Sequence, residues 1–167
     1  MVEVIVDRLG LDSASNTFVV VLREKGGTRV LPIWIGRPEA ESILLEMNHV
    51  KRERPLTHDL CKALVVALGG ALRRVTISRV EHNTYFAEMH LEGHNGWVQL
   101  DARPSDGIAI ALRLDAPIFA EPSLLGTETG EQVAWTQTPS SADELTSEEL
   151  KQYLAALQPE DFGKFKP

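Results

Sequence analysis

Thr17-Phe18-Val19-Val20-Val21-Leu22-Arg23-Glu24-Lys25-Gly26-Gly27-Thr28-Arg29-Val30-Leu31-Pro32-Ile33-Trp34-Ile35-Gly36-Arg37-Pro38-Glu39 is the stretch on which the fold class turns. Two runs rich in β-branched and aromatic residues flank Lys25-Gly26-Gly27, the pattern of two strands joined by a tight turn. Pro32 cannot donate to a sheet ladder, which puts the returning strand at an edge or an irregular position. Gly36 closes that strand, and Pro38 presets φ for a helix start. A hairpin that runs straight into a helix argues for an α+β fold over a regular parallel βαβ repeat.

The same reading extends outward. Residues 2–9 alternate as a first strand. Residues 38–50 form a helix on Ala40, Ile43, Leu44, Met47 and Val50, and residues 57–68 a second with Leu60, Leu64 and Leu68 aligned. Gly69-Gly70 stops it. Strands follow at 72–80, 84–91 and 97–102, then a third helix at 104–114 on Ile108, Ala109, Ala111 and Leu112, and a short last strand at 117–119. The expectation is a mixed, largely antiparallel sheet with three core helices over residues 1–125. Residues 126–143 read as a polar linker. Residues 144–167 read as an acidic tail whose short helix opens on a Thr146/Glu149 capping box and carries Leu150, Tyr153, Leu154 and Leu157.

Composition narrows the function classes. No run of about 18 apolar residues is present, so no membrane span is expected. The N-terminus lacks the basic-then-apolar pattern of a signal peptide, and the chain reads as cytoplasmic. One cysteine, Cys61, excludes an internal disulfide and a multi-thiolate zinc site, and it reads as a packed thiol. The net charge of −7 lies mostly beyond residue 120, leaving the first part nearly balanced. That balance suits a short contact with a few phosphates better than a long grip on a duplex. There is no phosphate-binding Walker loop, no dinucleotide fingerprint and no nucleophile elbow.

Two segments carry the chemistry: Arg54-Pro55-Leu56-Thr57-His58-Asp59 and Arg103-Pro104-Ser105-Asp106. Each sets an arginine and a proline before a hydroxyl residue and an aspartate at a helix start. A helix N-terminus and a guanidinium together favour anions, phosphates above all. On one reading Thr57, Asp59, Ser105 and Asp106 only cap helices, and the arginines pair with carboxylates. On the other, His58, Asp59, Arg103 and Asp106 share a cleft in which a carboxylate accepts a proton or holds a cation, a histidine shuttles a proton, and arginine stabilises phosphate charge. Glu39, Ser42, Glu46 and His49 recur at helical spacing, as a metal-binding edge or a solvated helix face. His82, His90 and His94 read as surface or structural residues.

Leu31-Pro32-Ile33-Trp34-Ile35-Gly36, Glu39-Ala40, Arg54-Pro55-Leu56-Thr57-His58-Asp59-Leu60 and Asp101-Ala102-Arg103-Pro104-Ser105-Asp106 occur in an order and spacing that resemble the bifunctional nuclease family. Ala109-Ile110-Ala111-Leu112-Arg113 fits it too, and the tail around Pro159-Glu160-Asp161-Phe162-Gly163 is similar to the extension of some bacterial members. The resemblance implies an α+β domain, a homo-oligomer, and hydrolysis of phosphodiester bonds in RNA and DNA. At the motif positions, the chemistry of the side chains leads us to expect His58, Asp59, Arg103 and Asp106 as catalytic residues and Arg54, Thr57 and Ser105 as phosphate-binding residues. Glu39 and Asp106 would be ligands for a divalent cation, Mg²⁺ or Mn²⁺. Gly107 departs from the alanine or serine of many members. The competing expectation is a non-catalytic module that binds a nucleotide or a protein at the same helix starts.

Overall fold

The computed structural model describes residues 1–12, 17–51 and 53–127. The linker and acidic tail expected beyond them, and Arg52, lie outside the described residues. Seven strands form one sheet: β1 (Val2–Asp12), β2 (Thr17–Glu24), β3 (Val30–Ile35), β4 (Ala71–Glu81), β5 (Thr84–Gly93), β6 (Gly96–Ala102) and β7 (Ile118–Ala120). Three helices accompany it: α1 (Arg37–Met47), α2 (Thr57–Ala67) and α3 (Pro104–Arg113).

The sheet order is β3-β2-β1-β7-β4-β5-β6. β1-β2-β3 and β4-β5-β6 are antiparallel meanders, and each runs directly into a helix. The short β7 joins them, antiparallel to β1 and parallel to β4. The fold is therefore α+β with a mixed, largely antiparallel sheet. β3 sits at one edge, as Pro32 requires. Topologically, Arg37-Pro38 at the start of α1 is the counterpart of Arg103-Pro104 at the start of α3.

The core lies between one sheet face and helices α1 and α3. Leu22, Leu31, Ile43, Val75, Ile77 and Ile108 are fully buried in it. α3 approaches the sheet closely at Gly107, where a Cβ would lie 2.9 Å from Val75 Cγ1. Glycine there lets the helix N-terminus settle onto β4.

α2 departs from the pattern. Its leucines align as the sequence implies, yet the helix buries no residue: Leu60 and Leu64 are 52% exposed and Leu68 75%. α1 and α3 already cover the core, so α2 lies against the flank of α3 and turns Cys61 inward. Its first turn is fixed by polar contacts, and those contacts build the site.

Candidate functional site

Three helix starts converge. Gly36 caps α1 and places Glu39 in its first turn, with Ser42 one turn later. Leu56 is the N-cap of α2, so Thr57, His58 and Asp59 are its first three helical residues. Arg103 is the N-cap of α3, followed by Pro104, Ser105 and Asp106. Neither hydroxyl supplies a side-chain cap. Proline claims the first position of α3 and pushes the N-cap back onto Arg103. In α2 the capping falls to Asp59, whose Oδ2 accepts the Leu56 N–H at 2.8 Å. Thr57 is exposed and Ser105 is buried.

A chain of hydrogen bonds leads from the interior to solvent. Ser42, 3% exposed, lies with Oγ 2.8 Å from His58 Nδ1. His58 Nε2 lies 3.2 Å from Asp106 Oδ1. Arg103 grips Asp106 with two bonds, Nε to Oδ2 at 2.7 Å and Nη2 to Oδ1 at 3.0 Å. The same Nη2 is 2.9 Å from Glu39 Oε1. Side-chain exposure rises along the chain, from 13% at His58 to 30% at Asp106 and 66% at Arg103.

Electrostatics fixes the proton positions. Burial alone would raise the Asp106 pKa, but hydrogen bonds from Arg103 and His58 reverse this and hold the carboxyl below its ordinary value. The Arg103 guanidinium is pushed further up by its bond to Asp106. An ionised Asp106 only accepts, so in a neutral His58 the hydrogen is on Nε2 and Ser42 donates to Nδ1. Both imidazole nitrogens are then engaged. His58 orients Asp106, and Asp106 orients the exposed guanidinium.

Asp59 faces another way. Its Oδ1 accepts from Nε of Arg113 at 2.6 Å, and that arginine side chain is 2% exposed. Arg113 also donates to the carbonyls of Ala109 at 2.9 Å and Ser42 at 3.2 Å. One buried arginine at the end of α3 thus ties α3 to both other helices, where the helix dipole favours a cation. Beside this clamp is an open cavity of about 360 Å³, lined by Leu45, Glu46, Val50, Arg54, Asp59 and Arg113 among others. Arg54 has no ion-pair partner among the described residues.

The structure therefore brings Glu39, His58, Arg103 and Asp106 into one linked group and sets Arg54 and Asp59 at the neighbouring cavity. Ser42 belongs to both, through its hydroxyl and its carbonyl. The row Glu39, Ser42, Glu46, His49 is neither a metal edge nor a solvated face. Ser42 is buried, Glu46 lines the cavity, and His49 sits in the turn after α1 with φ 52°. Glu39 and Asp106 share the Arg103 guanidinium, and no group of three potential ligands lies together among the described residues. As arranged, this donor set does not fit a divalent cation.

Sequence reading missed the roles of Ser42 and Arg113. A signal was present for Arg113: it ends an apolar helix two turns after Asp106, on the same helical face.

A family model described as "Bifunctional nuclease domain" matches residues 20–132, which contain all of these residues. An uncharacterized protein of Mycobacterium tuberculosis H37Rv is 38% identical across 97% of this chain and 98% of its own length. Bifunctional nuclease 1 of Oryza sativa subsp. japonica is 26% identical over 90% of this chain and 45% of its own. Bifunctional nuclease 2 of Arabidopsis thaliana is 32% identical over 63% and 33%.

Proposed function

This chain belongs to the bifunctional nuclease domain family, and from that premise we propose that it hydrolyses phosphodiester bonds of RNA or DNA. The observation that carries this reading is the graded chain Ser42–His58–Asp106–Arg103, which ends in an exposed and doubly oriented guanidinium at a helix N-terminus. A planar fork held in place loses less freedom on meeting a phosphate than a free side chain does. The N–H groups of the first turn of α3 add partial positive charge on the same side.

In this mechanism a backbone phosphate takes over Arg103 from one of its carboxylates. Asp106 then loses the hydrogen bonds that depress its basicity and keeps the one from His58. The carboxylate becomes a competent acceptor for one proton of an attacking water as its oxygen bonds to phosphorus, while Arg103 stabilises the charge growing on the phosphoryl oxygens; the opposite P–O bond breaks and the departing sugar oxygen takes a proton from solvent. His58 and Ser42 are positioning residues for Asp106. Glu39 holds the second edge of Arg103. Arg54 at the cavity rim supplies a further cation for an adjacent phosphate.

A second reading rests on one observation. In the resting arrangement Asp106 is a weakened base and Arg103 is paired twice, which suits a module that binds a nucleotide without turning it over. Labelled single-stranded RNA and DNA incubated with the full chain distinguish the two. Cleavage that disappears in an identically prepared Asp106→Asn protein supports hydrolysis. Retained binding without cleavage supports the binding module.

A further inference from the structure

The cavity beside the Arg113 clamp has apolar walls as well as charges. Leu45, in the last turn of α1, is buried where it lines this space. The turn that ends α1 builds a wall next to it. There His49 adopts φ 52°, the left-handed conformation usual for glycine after a helix, and the Val50 N–H bonds back to the Leu45 carbonyl at 3.0 Å. That closure brings Val50 back beside Leu45, and Pro55 completes the apolar lining. The enclosed space of about 360 Å³ falls within the range of small-molecule pockets.

Its charges are uncommitted. Glu46, half-buried on α1, and Glu53 and Arg54, in the loop before α2, all line the cavity. None of the three has an ion-pair partner among the described residues, although Glu53 and Arg54 are sequence neighbours of opposite sign. The Arg113 guanidinium, by contrast, is spent on Asp59 and two carbonyls. Three carboxylates, those of Glu46, Glu53 and Asp59, thus stand against one available cation. A phosphate inside would be repelled by them. A metal ion finds no group of three ligands together among the described residues. What fits is a flat, neutral group with apolar faces and N–H donors for a carboxylate, carried on a phosphate that stays outside at Arg54.

We infer that this cavity is a base subsite that selects guanine in a single strand, with Glu46 accepting the guanine N1–H and N2 amino group and Arg54 holding the attached phosphate. Guanine alone offers two adjacent donors on its Watson–Crick edge. Adenine puts a ring-nitrogen acceptor there, cytosine sets an acceptor beside its amino group, and uracil or thymine has one donor between two carbonyls. A carboxylate turned to any of these loses a hydrogen bond or meets a lone pair, which is how a polar site rejects the wrong partner. The position suits the strand. His58 and Asp59 are successive residues in the first turn of α2, one bonded to Asp106 and the other lining the cavity. A base seated in the cavity therefore carries its strand across that turn toward Arg103. The inference rests on the hydrolytic reading for the cutting of the strand, but not for the binding of the base.

Nucleoside monophosphates contain no phosphodiester bond, so their binding reports the subsite apart from hydrolysis. In isothermal titration GMP should bind the full chain about tenfold tighter than AMP, CMP or UMP. Glu46→Gln alters a half-buried side chain without an ion pair, so it should keep its circular dichroism and melting temperature while erasing that preference. On end-labelled single strands, cuts should fall beside guanine in wild type and spread over all bases in Glu46→Gln. Uridine octanucleotides with and without one guanine, titrated into Asp106→Asn, test the source of the base. A guanine octanucleotide that binds tighter than GMP supports the strand, and equal binding overturns it in favour of a free nucleotide. The proposal also falls if neither GMP nor the octanucleotides show a base preference, if the preference survives in Glu46→Gln, or if spermidine displaces GMP as the better occupant. Cleavage without base preference would remove the subsite and leave hydrolysis standing, whereas guanine binding without cleavage would do the reverse.

Discussion

His58 Nε2 lies 3.2 Å from Asp106 Oδ1, which joins the first turn of α2 to the first turn of α3. Through this contact the two Arg-Pro segments of the sequence become one site. It also makes His58 a relay between a buried hydroxyl and a carboxylate near solvent.

A neutral His58 should be the Nε2–H tautomer, visible in nitrogen chemical shifts at pH 8. Ser42→Ala removes the donor to Nδ1 and should cost about 1 kcal/mol of stability. It should also weaken the tautomer preference and move the pH profile of activity. A dominant Nδ1–H tautomer in the wild-type protein would contradict the arrangement.

Acid stability follows from Asp106. Its carboxyl titrates below the ordinary value in the folded chain, so its contribution is complete above the unfolded carboxylate pKa of about 3.9. The contribution is lost as pH falls through the lower folded value. Asp106→Asn should be less stable than wild type at pH 7, and the gap should close as pH drops below about 4. Urea midpoints between pH 7 and pH 2.5 measure this. A gap that does not change with pH would separate Asp106 from the linkage.

The Arg113–Asp59 pair should matter more to the fold than any other charged contact of the site. Asp59→Ala leaves the Arg113 guanidinium buried without its carboxylate and removes the acceptor of the Leu56 N–H, at a cost of about 3 kcal/mol. Arg113→Met should cost less, since it removes the buried charge and leaves a carboxylate that is 30% exposed and still bonded to the Leu56 N–H. Urea unfolding of the two variants and their combination gives the coupling. An unchanged midpoint in Asp59→Ala would mean the clamp holds nothing.

The sequence made much of this legible, and the reasons are local. The hairpin through Lys25-Gly26-Gly27, the edge position of Pro32 and the helix starts at Pro38 and Pro104 depend on backbone preferences of a few neighbouring residues. The joining of His58 to Asp106 is long-range, but each residue sits at a helix start that the sequence marks. The burial of Ser42 and the exposure of the α2 leucines are not legible in the sequence, for one reason. Helical periodicity tells which residues share a face, while tertiary packing decides which face is covered. α2 turns its leucines outward because α1 and α3 already fill the core. The same packing buries Ser42 among polar neighbours.

Gly107 offers a test of how tightly α3 is seated. A methyl group there meets Val75 at 2.9 Å, and overpacking of this kind costs about 2 kcal/mol. The helix gains about 1 kcal/mol from alanine over glycine. Gly107→Ala should therefore be mildly destabilising in the wild-type protein and become stabilising in a Val75→Ala background. Thermal melts of the four proteins read the sign directly. The same sign in both backgrounds would rule out Val75 as the cause.

The central claim is that Arg103 and Asp106 act on a phosphodiester. Initial rates of cleavage of end-labelled single-stranded RNA and DNA, with wild type, Arg103→Ala and Asp106→Asn purified in parallel, test it most directly. The account predicts measurable cleavage by wild type and a loss of about 10²-fold or more in each variant. Thermal stability in Arg103→Ala should fall only slightly, by about 1 kcal/mol or less, because that side chain is 66% exposed. Equal rates in all three proteins, or none in any, would contradict it.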